Sequence, residues 1–487
     1  MNYALTSLDR GAIGLRSVFV LLILLELTTM GIILFAELET QVLYAAVLLV
    51  PLVIIVIPLE PTVGLAIMVL TTGLDFLGVI TEDKSAAQFQ KLTFFHLAII
   101  LTFISMGTNL ILRKKTSIPS ANIWPPLIVF LVMYAVSLIR TPYINDALLT
   151  CARVFMLSMS VLIIMLIVDR TWKVGFVFGM MMLVPLGVAI VTLYQLFAEG
   201  SFFAPIVIKV ANAIGLPVYR STGTFTSPNS LACFLMVGVV LSFALIFVKS
   251  IPFPLRLLIF ACVITTGIGL IASFSRGGWI STLFAAALVV VFHRKWSYFG
   301  YFALFVLLCV FIISIKVPNL WEVVFERFGT IFKAQEDASS IARIALIKSS
   351  IWMWMDHPIF GVGLRGFPKL FQEYIDPSMP HVLAEIREAH TIQTEILAEF
   401  GLIGIFVTTW LFMTIFFHGI RTIRTMRSNL LRCFQIGFVS LLVGFLVNFS
   451  FATDITNNMC WMTVGFIYAI PLVDRALAER SAEPLPA

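Results

Sequence analysis

Apolar runs of about 20 residues recur along almost the whole chain, each long enough to span roughly 30 Å of hydrocarbon. They fall at 16–36, 40–58, 61–80, 92–112, 123–139, 147–168, 173–197, 229–248, 255–273, 277–292, 297–315, 399–418, 434–452 and 456–473. Two are weak: 61–80 contains Asp75, and 277–292 is short, so twelve spans also fit. A segment in lipid has no water to bond its peptide groups, so each run must close its own hydrogen bonds as a helix. Charged residues make up 12% of the 487 positions, against about 25% in a soluble domain, too few to cover a water-facing surface. The sequence therefore predicts an all-α, polytopic integral membrane helix bundle of about 12–14 transmembrane helices, with residues 1–487 as one membrane domain. The first run has no small-residue cleavage site close behind it and reads as a retained helix.

Basic residues set the expected orientation. Arg10, Arg16, Arg113, Lys114, Lys115, Arg170, Lys173, Lys249 and Arg256 fall in alternate short connections, as do Arg294, Lys295, Arg421, Arg424, Arg427, Arg432, Arg475 and Arg480. Together they are more than half of the 32 Lys and Arg. The positive-inside rule then puts both termini in the cytoplasm, with the protein in the inner (cytoplasmic) membrane. The net charge of +6 follows from the same rule and gives no reason to expect nucleic acid.

One connection is long. Residues 316–398 fall outside in this topology, as an external (periplasmic) loop with short helices inserted between transmembrane helices. Ile341 to Met355 reads as a helix that stops before Pro358, because the residue preceding proline disfavours the α region. A loop of this length in a compact protein is functional or disordered, and its tryptophans and proline-glycine turn predict order. The six cysteines sit singly within apolar runs and read as small buried hydrophobes.

Four polar stretches stand out: Tyr219-Arg-Ser-Thr-Gly-Thr-Phe-Thr-Ser-Pro-Asn229, Ser273-Phe-Ser-Arg-Gly-Gly-Trp279, His357-Pro-Ile-Phe-Gly-Val-Gly-Leu-Arg-Gly-Phe367 and Ala389-His-Thr-Ile-Gln-Thr-Glu-Ile-Leu-Ala-Glu-Phe-Gly401. They lie far apart in sequence, yet the basic-residue topology puts all four at the outer face. The link that carries Arg276 joins two spans in only a few residues, so this cation must sit at the bilayer edge, where it is costly without a partner.

Over residues 215–455 these stretches resemble the O-antigen ligase and polysaccharide polymerase superfamily. The R-x-x-GTF-x-x-PN segment, the S-R-G-G-W junction, the HP-x-x-G-x-G turn and the H-x-x-x-x-x-L-x-E-x-G segment occur in that family's order. Where many relatives carry Asn after the histidine, this chain has Thr391. The resemblance implies a glycosyltransferase that takes a glycan from a polyprenyl-diphosphate donor and passes it to an acceptor hydroxyl. The acceptor belongs to lipid A core in ligases, to a growing chain in polymerases, and to a protein in a third group.

The residue types suit that chemistry. A glycosyl diphosphate already carries its leaving group, so an enzyme must stabilise departing negative charge and free a nucleophile. Guanidinium groups do the first, binding phosphate oxygens in pairs while always charged; Arg220 and Arg276 are the candidates, with Arg343 assisting. A neutral histidine does the second. His390 is placed for it near a helix N-terminus, where the dipole disfavours imidazolium. With no DxD in the outer loops, neither metal nor cofactor is expected. Arg153 and Asp75, charged residues within spans, are expected to lie together beside the site, with Arg153 offering charge to the lipid diphosphate and Asp454 in the same cluster. Glu395 and Glu399 share a helix face, and His96, His293, His357, His381 and His418 read as interface or loop residues. The alternative is a transporter of a small anion such as bicarbonate, but transporters place their site near the midplane on broken helices. The polar stretches here lie at an edge.

Overall fold

The computed structural model describes residues 61–74, 93–113, 118–198, 209–213, 216–246, 248, 250–315, 338–375, 391–451 and 455–482. The first two apolar runs, Asp75, His390 and Asp454 lie outside the described residues. The helices are α1 (Pro61–Thr72), α2 (Phe94–Arg113), α3 (Trp124–Ser137), α4 (Ile144–Ile167), α5 (Thr171–Ala198), α6 (Pro228–Leu245), α7 (Phe253–Ala272) and α8 (Arg276–His293). After them come α9 (Tyr298–Ser314), α10 (Ala338–Asp356), the single turn α11 (Phe367–Leu370), α12 (Ile392–Thr425), α13 (Asn429–Asn448) and α14 (Asn458–Ala482). The protein is an all-α membrane bundle. Eight of these helices are at least 18 residues long and apolar enough to cross a membrane, and α1, α2 (over Phe94–Gly107), α3 and α9 count as shorter apolar helices.

Each expected run from 61 onward meets a described helix, with ends shifted by four or more residues in α1, α12, α13 and α14. Helix α1 stops at Thr72, short of the expected 80, where Thr71 and Thr72 turn their hydroxyls back onto the carbonyls of Ile67 and Val69 and Gly73 closes a turn on Leu70. Helix α12 starts at 392, seven residues before the expected 399, because Glu395 and Glu399 lower the apolar density without breaking the helix. The sequence reading also missed a small antiparallel hairpin, β1 (Lys209–Ala213) with β2 (Leu216–Arg220), whose register pairs Lys209 with Arg220.

Helix α6 is the axis of the bundle. Every residue from Leu231 to Leu245 is buried, enclosed by α5, α7, α8 and α13. Close crossing needs a missing side chain: a Cβ on Gly238 would lie 2.8 Å from both Pro185 and Thr266. Ser227 caps α6, its hydroxyl accepting from the Ser230 N–H, and Pro228 fills the first turn, where no amide hydrogen is needed.

The connections fall at two ends. One end carries Arg256, Arg294, Lys295, Arg421, Arg424, Arg427 and Arg475. There the Asp474 carboxylate accepts from the Arg427 and Ser428 amides at 3.0 and 2.9 Å, joining the α12–α13 turn to α14. The other end carries the four polar stretches. Residues 338–375 form α10, α11 and a 3₁₀ turn, Phe371–Tyr374. They build a small core of their own from Leu346, Met353, Val362, Phe367 and Phe371 against Ala398 of α12.

Candidate active site

The first two polar stretches are bonded to each other. Arg220 ends β2 and donates from Nε to the Ser273 carbonyl at 3.0 Å and from Nη2 to Asn229 Oδ1 at 3.3 Å. Ser275 Oγ donates to the same Asn229 oxygen at 2.9 Å while accepting from the Gly278 amide, which caps α8. The Ser221 amide adds a bond to the Ala272 carbonyl. The turn between Arg220 and Asn229 is fixed from behind. Gly223, at φ 58°, donates its N–H to Gln195 Oε1 and accepts from Gln195 Nε2 at 2.9 and 3.0 Å. Thr224 donates to the Gly73 carbonyl at 2.6 Å.

Arg276 is the first residue of α8 and is half-buried. A helix N-terminus carries partial positive charge and favours acids in its first turn, so an arginine there opposes the dipole. Phe274 just before it holds φ at 49°, a region uncommon for any residue but glycine. Both local costs are met within three residues, which marks the junction as built for something other than stability. The two glycines that follow let α8 press inward. A Cβ on Gly277 would lie 2.7 Å from that of Phe451, and one on Gly278 would collide with Ala232 of α6.

The other two stretches form a second joint. The Val362 and Gly363 amides donate to the carbonyls of Ala398 and Glu399 at 3.0 and 2.9 Å, and the Leu402 and Ile403 amides donate back to Pro358 and Ile359. Helix α12 is broken at Gly401, at φ 64° and ψ −155°. Gly361 lies so close to the Glu399 backbone that a Cβ would overlap it, and a Cβ on Gly363 would lie 2.7 Å from the Thr141 nitrogen. Within the joint the Phe367 amide donates to the buried Glu399 carboxylate at 3.3 Å. Arg365, at φ 60°, is buried beside it. Thr141 Oγ1 donates to the Leu364 carbonyl at 2.7 Å, and Arg140 covers the Phe360 ring at 5.6 Å, so the turn also grips the α3–α4 connection. Tyr374 donates to Asp356 at 2.9 Å, and burial with that carboxylate raises the phenol above its ordinary value.

One turn, 449–451, links the two halves. The Ile392 amide at the start of α12 donates to the Phe449 carbonyl at 3.0 Å, and Gln393 donates to Ser450 Oγ at 3.0 Å. Gly277 of the arginine junction faces Phe451 on the same turn. The four stretches thus form one connected assembly at one end of the bundle.

The candidate residues divide. Arg220 and Arg276 are brought together through Ser273, Asn229 and Ser275. Arg153 is buried on α4, near enough for its charge to be felt at His96 of α2, whose Nδ1 accepts from the Thr93 amide at 3.2 Å. Its expected neighbours Asp75 and Asp454 lie outside the described residues. Arg343 is half-buried near the start of α10. His390 lies outside the described residues, but the next residue, Thr391, is the N-cap of α12, so the stretch does open a helix. Among the described residues, no three His, Cys, Asp or Glu side chains gather as a metal-ligand set. Sequence reasoning passed over three residues that hold the assembly: Asn229, Gln195 and Arg365. Asn229 at least had a signal, as the polar end of the Pro-Asn pair that opens α6.

Comparison with known proteins gives one positive finding. Residues 260–409 match the family model described as O-antigen ligase, a segment that includes the arginine junction, the His357 turn and the entry to α12. No curated protein matches the chain. The small-anion transporter alternative gains no support from that match. The match over residues 260–409 of this multi-pass membrane protein supports the O-antigen ligase and polymerase superfamily that the four stretches resemble.

Proposed function

We propose that the protein is a glycosyltransferase that moves a glycan from a polyprenyl-diphosphate donor to an acceptor hydroxyl on the outer face of the cytoplasmic membrane. The reading rests above all on the junction of Arg220 with the first turn of α8, where an arginine stands against the helix dipole. Two arginines on hydrogen-bonded segments at one helix end suit a diphosphate, which guanidinium groups can bind through paired hydrogen bonds.

In this scheme Arg220 and Arg276 hold the diphosphate, with Arg343 and Arg153 adding charge and Asp454 in the surrounding cluster. His390 takes the proton from the acceptor hydroxyl. The oxygen so freed attacks the anomeric carbon from the side opposite the diphosphate. The carbon–oxygen bond to phosphate breaks, its electron pair leaves with the lipid diphosphate, and the configuration inverts. Every charge change is met by a side chain, so the step calls for no metal and no cofactor. The acceptor is a lipid, a glycan or a protein.

The same reading makes residues 1–487 a single membrane domain with both termini in the cytoplasm. Residues 316–398 then form the external segment over the site. Support comes from the cations Arg256, Arg294, Lys295, Arg421, Arg424, Arg427 and Arg475 at the opposite end of the bundle.

The test separates chemistry from binding. In membranes given radiolabelled polyprenyl-diphosphate glycan, His390→Ala should retain donor but transfer it roughly 10²–10⁴-fold more slowly. The wild type should lose transfer as pH falls through the range in which histidine ordinarily takes up a proton, because protonated imidazole cannot accept the proton. A His390→Ala protein with wild-type rate and pH profile removes the base from the scheme.

A further inference from the structure

Asn229 joins Arg220 to the cap of α8 within the arginine assembly. Its Oδ1 receives two donors at once, Arg220 Nη2 and Ser275 Oγ. This settles which way the amide faces. A guanidinium can only donate, so the atom it meets must be the oxygen, and the usual ambiguity between amide oxygen and nitrogen is removed. The serine agrees: its Oγ already accepts from the Gly278 amide, which leaves its own hydrogen to donate. The NH₂ group must therefore point away from Ser275 and the Arg220 Nη2. Asn229 is half-buried, and among the described residues its nitrogen has no hydrogen-bond partner and is not sealed in the core.

We propose that the Asn229 NH₂ is a second donor to the diphosphate, adjacent to Arg220 and held in place by it. The proposal rests on the diphosphate reading of the site and adds a neutral donor to it. The geometry has a physical use. Arg220 donates Nε to Ser273 and Nη2 to Asn229, so the amide is held rigidly against the guanidinium. A phosphate oxygen that meets this amide gains a hydrogen bond without adding positive charge at a helix N-terminus, where a third arginine would oppose the dipole.

Asn229→Asp distinguishes a ligand contact from a mere brace. Aspartate keeps an oxygen for Arg220 and Ser275 and is favoured in the first turn of a helix, so the brace survives. It replaces the NH₂ by an anionic oxygen facing the phosphate. Measured on purified protein, Asn229→Asp should melt at or above the wild-type temperature yet bind labelled polyprenyl diphosphate roughly ten- to a hundredfold more weakly, as expected for a lost bond to a charged group plus repulsion. Inorganic pyrophosphate should compete with that labelled ligand less well in the variant. Asn229→Ser, which keeps an oxygen but no NH₂, is the second variant and should show the same direction of loss. Wild-type binding in either folded variant overturns the assignment. Arg220→Ala separates this failure from that of the site: if it also binds polyprenyl diphosphate normally, the diphosphate reading itself falls.

Discussion

The two ends of the bundle are built by different rules. At the basic end the cations are mostly exposed: Arg294, Lys295, Arg421, Arg424, Arg427 and Arg475 all reach outward, as headgroup anchors do. The backbone there is ordinary, and its one left-handed residue, Arg294 at φ 53°, caps the end of α8. At the other end Arg220, Arg276 and Arg343 are half-buried, and Arg153 and Arg365 are buried. That end also holds every other left-handed position among the described residues: Gly223, Phe274, Gly361, Gly363, Arg365 and Gly401. Backbone strain costs roughly 1–3 kcal/mol at each non-glycine position. Two non-glycine residues bear it at the polar end, Phe274 and Arg365, against one, Arg294, at the basic end, where it closes a helix.

The most drastic way to break this comparison is topological. Reporter fusions near Ser339 and in the turn at Ser428 should report opposite sides of the membrane, with Ser428 cytoplasmic. A cytoplasmic signal at Ser339 would leave the strained end facing the wrong compartment for a donor in the outer leaflet.

Arg276 sharpens it next. Arg276→Ala should lower glycan transfer by about 10²–10³-fold, the range for removing a charge-stabilising donor from a site. Its thermal stability should rise slightly, because a cation leaves a helix N-terminus. Arg276→Lys should recover transfer only in part, lacking the paired geometry. Arg424→Ala at the basic end should leave transfer unchanged, and a loss there equal to that of Arg276→Ala would erase the distinction between the ends.

Stability provides two smaller contrasts. Gln195→Leu leaves both backbone groups of Gly223 unpaired in a buried place and should cost about 2–4 kcal/mol, with reduced transfer. Asp474→Ala removes two bonds at the basic end and should cost about 1–2 kcal/mol while transfer per folded molecule stays the same. Thermal unfolding of purified protein, paired with transfer assays, checks both. Smallest of all, Arg294→Gly should be neutral or stabilising by up to about 1 kcal/mol, since glycine accepts the left-handed cap without strain.

The spans were legible because lipid permits only one answer to a 20-residue apolar run, and the helices from α2 to α9 begin and end within three residues of the expected limits. Polarity also pointed to Arg220 and Arg276, which the structure joins. What hydropathy could not register was geometry. Nothing in the letters at Gly401 says that a helix continues through a break, and the hairpin before Arg220 is too short to impose a period. A charge inside a span must have a setting, but which helix supplies it depends on packing, and the Arg153 charge on α4 is felt at His96.

The glycine contacts have an evolutionary consequence. At Gly278 the obstacle is the Ala232 side chain, so a larger residue could in principle be accommodated by a second change to glycine across the interface. At Gly361, Gly363 and Gly401 the obstacles are main-chain atoms of Glu399, Thr141 and Ile359. No substitution can shrink a peptide group. A lineage could therefore repair drift at the first contact but not at the other three, where any replacement of glycine is a dead end however the neighbours vary.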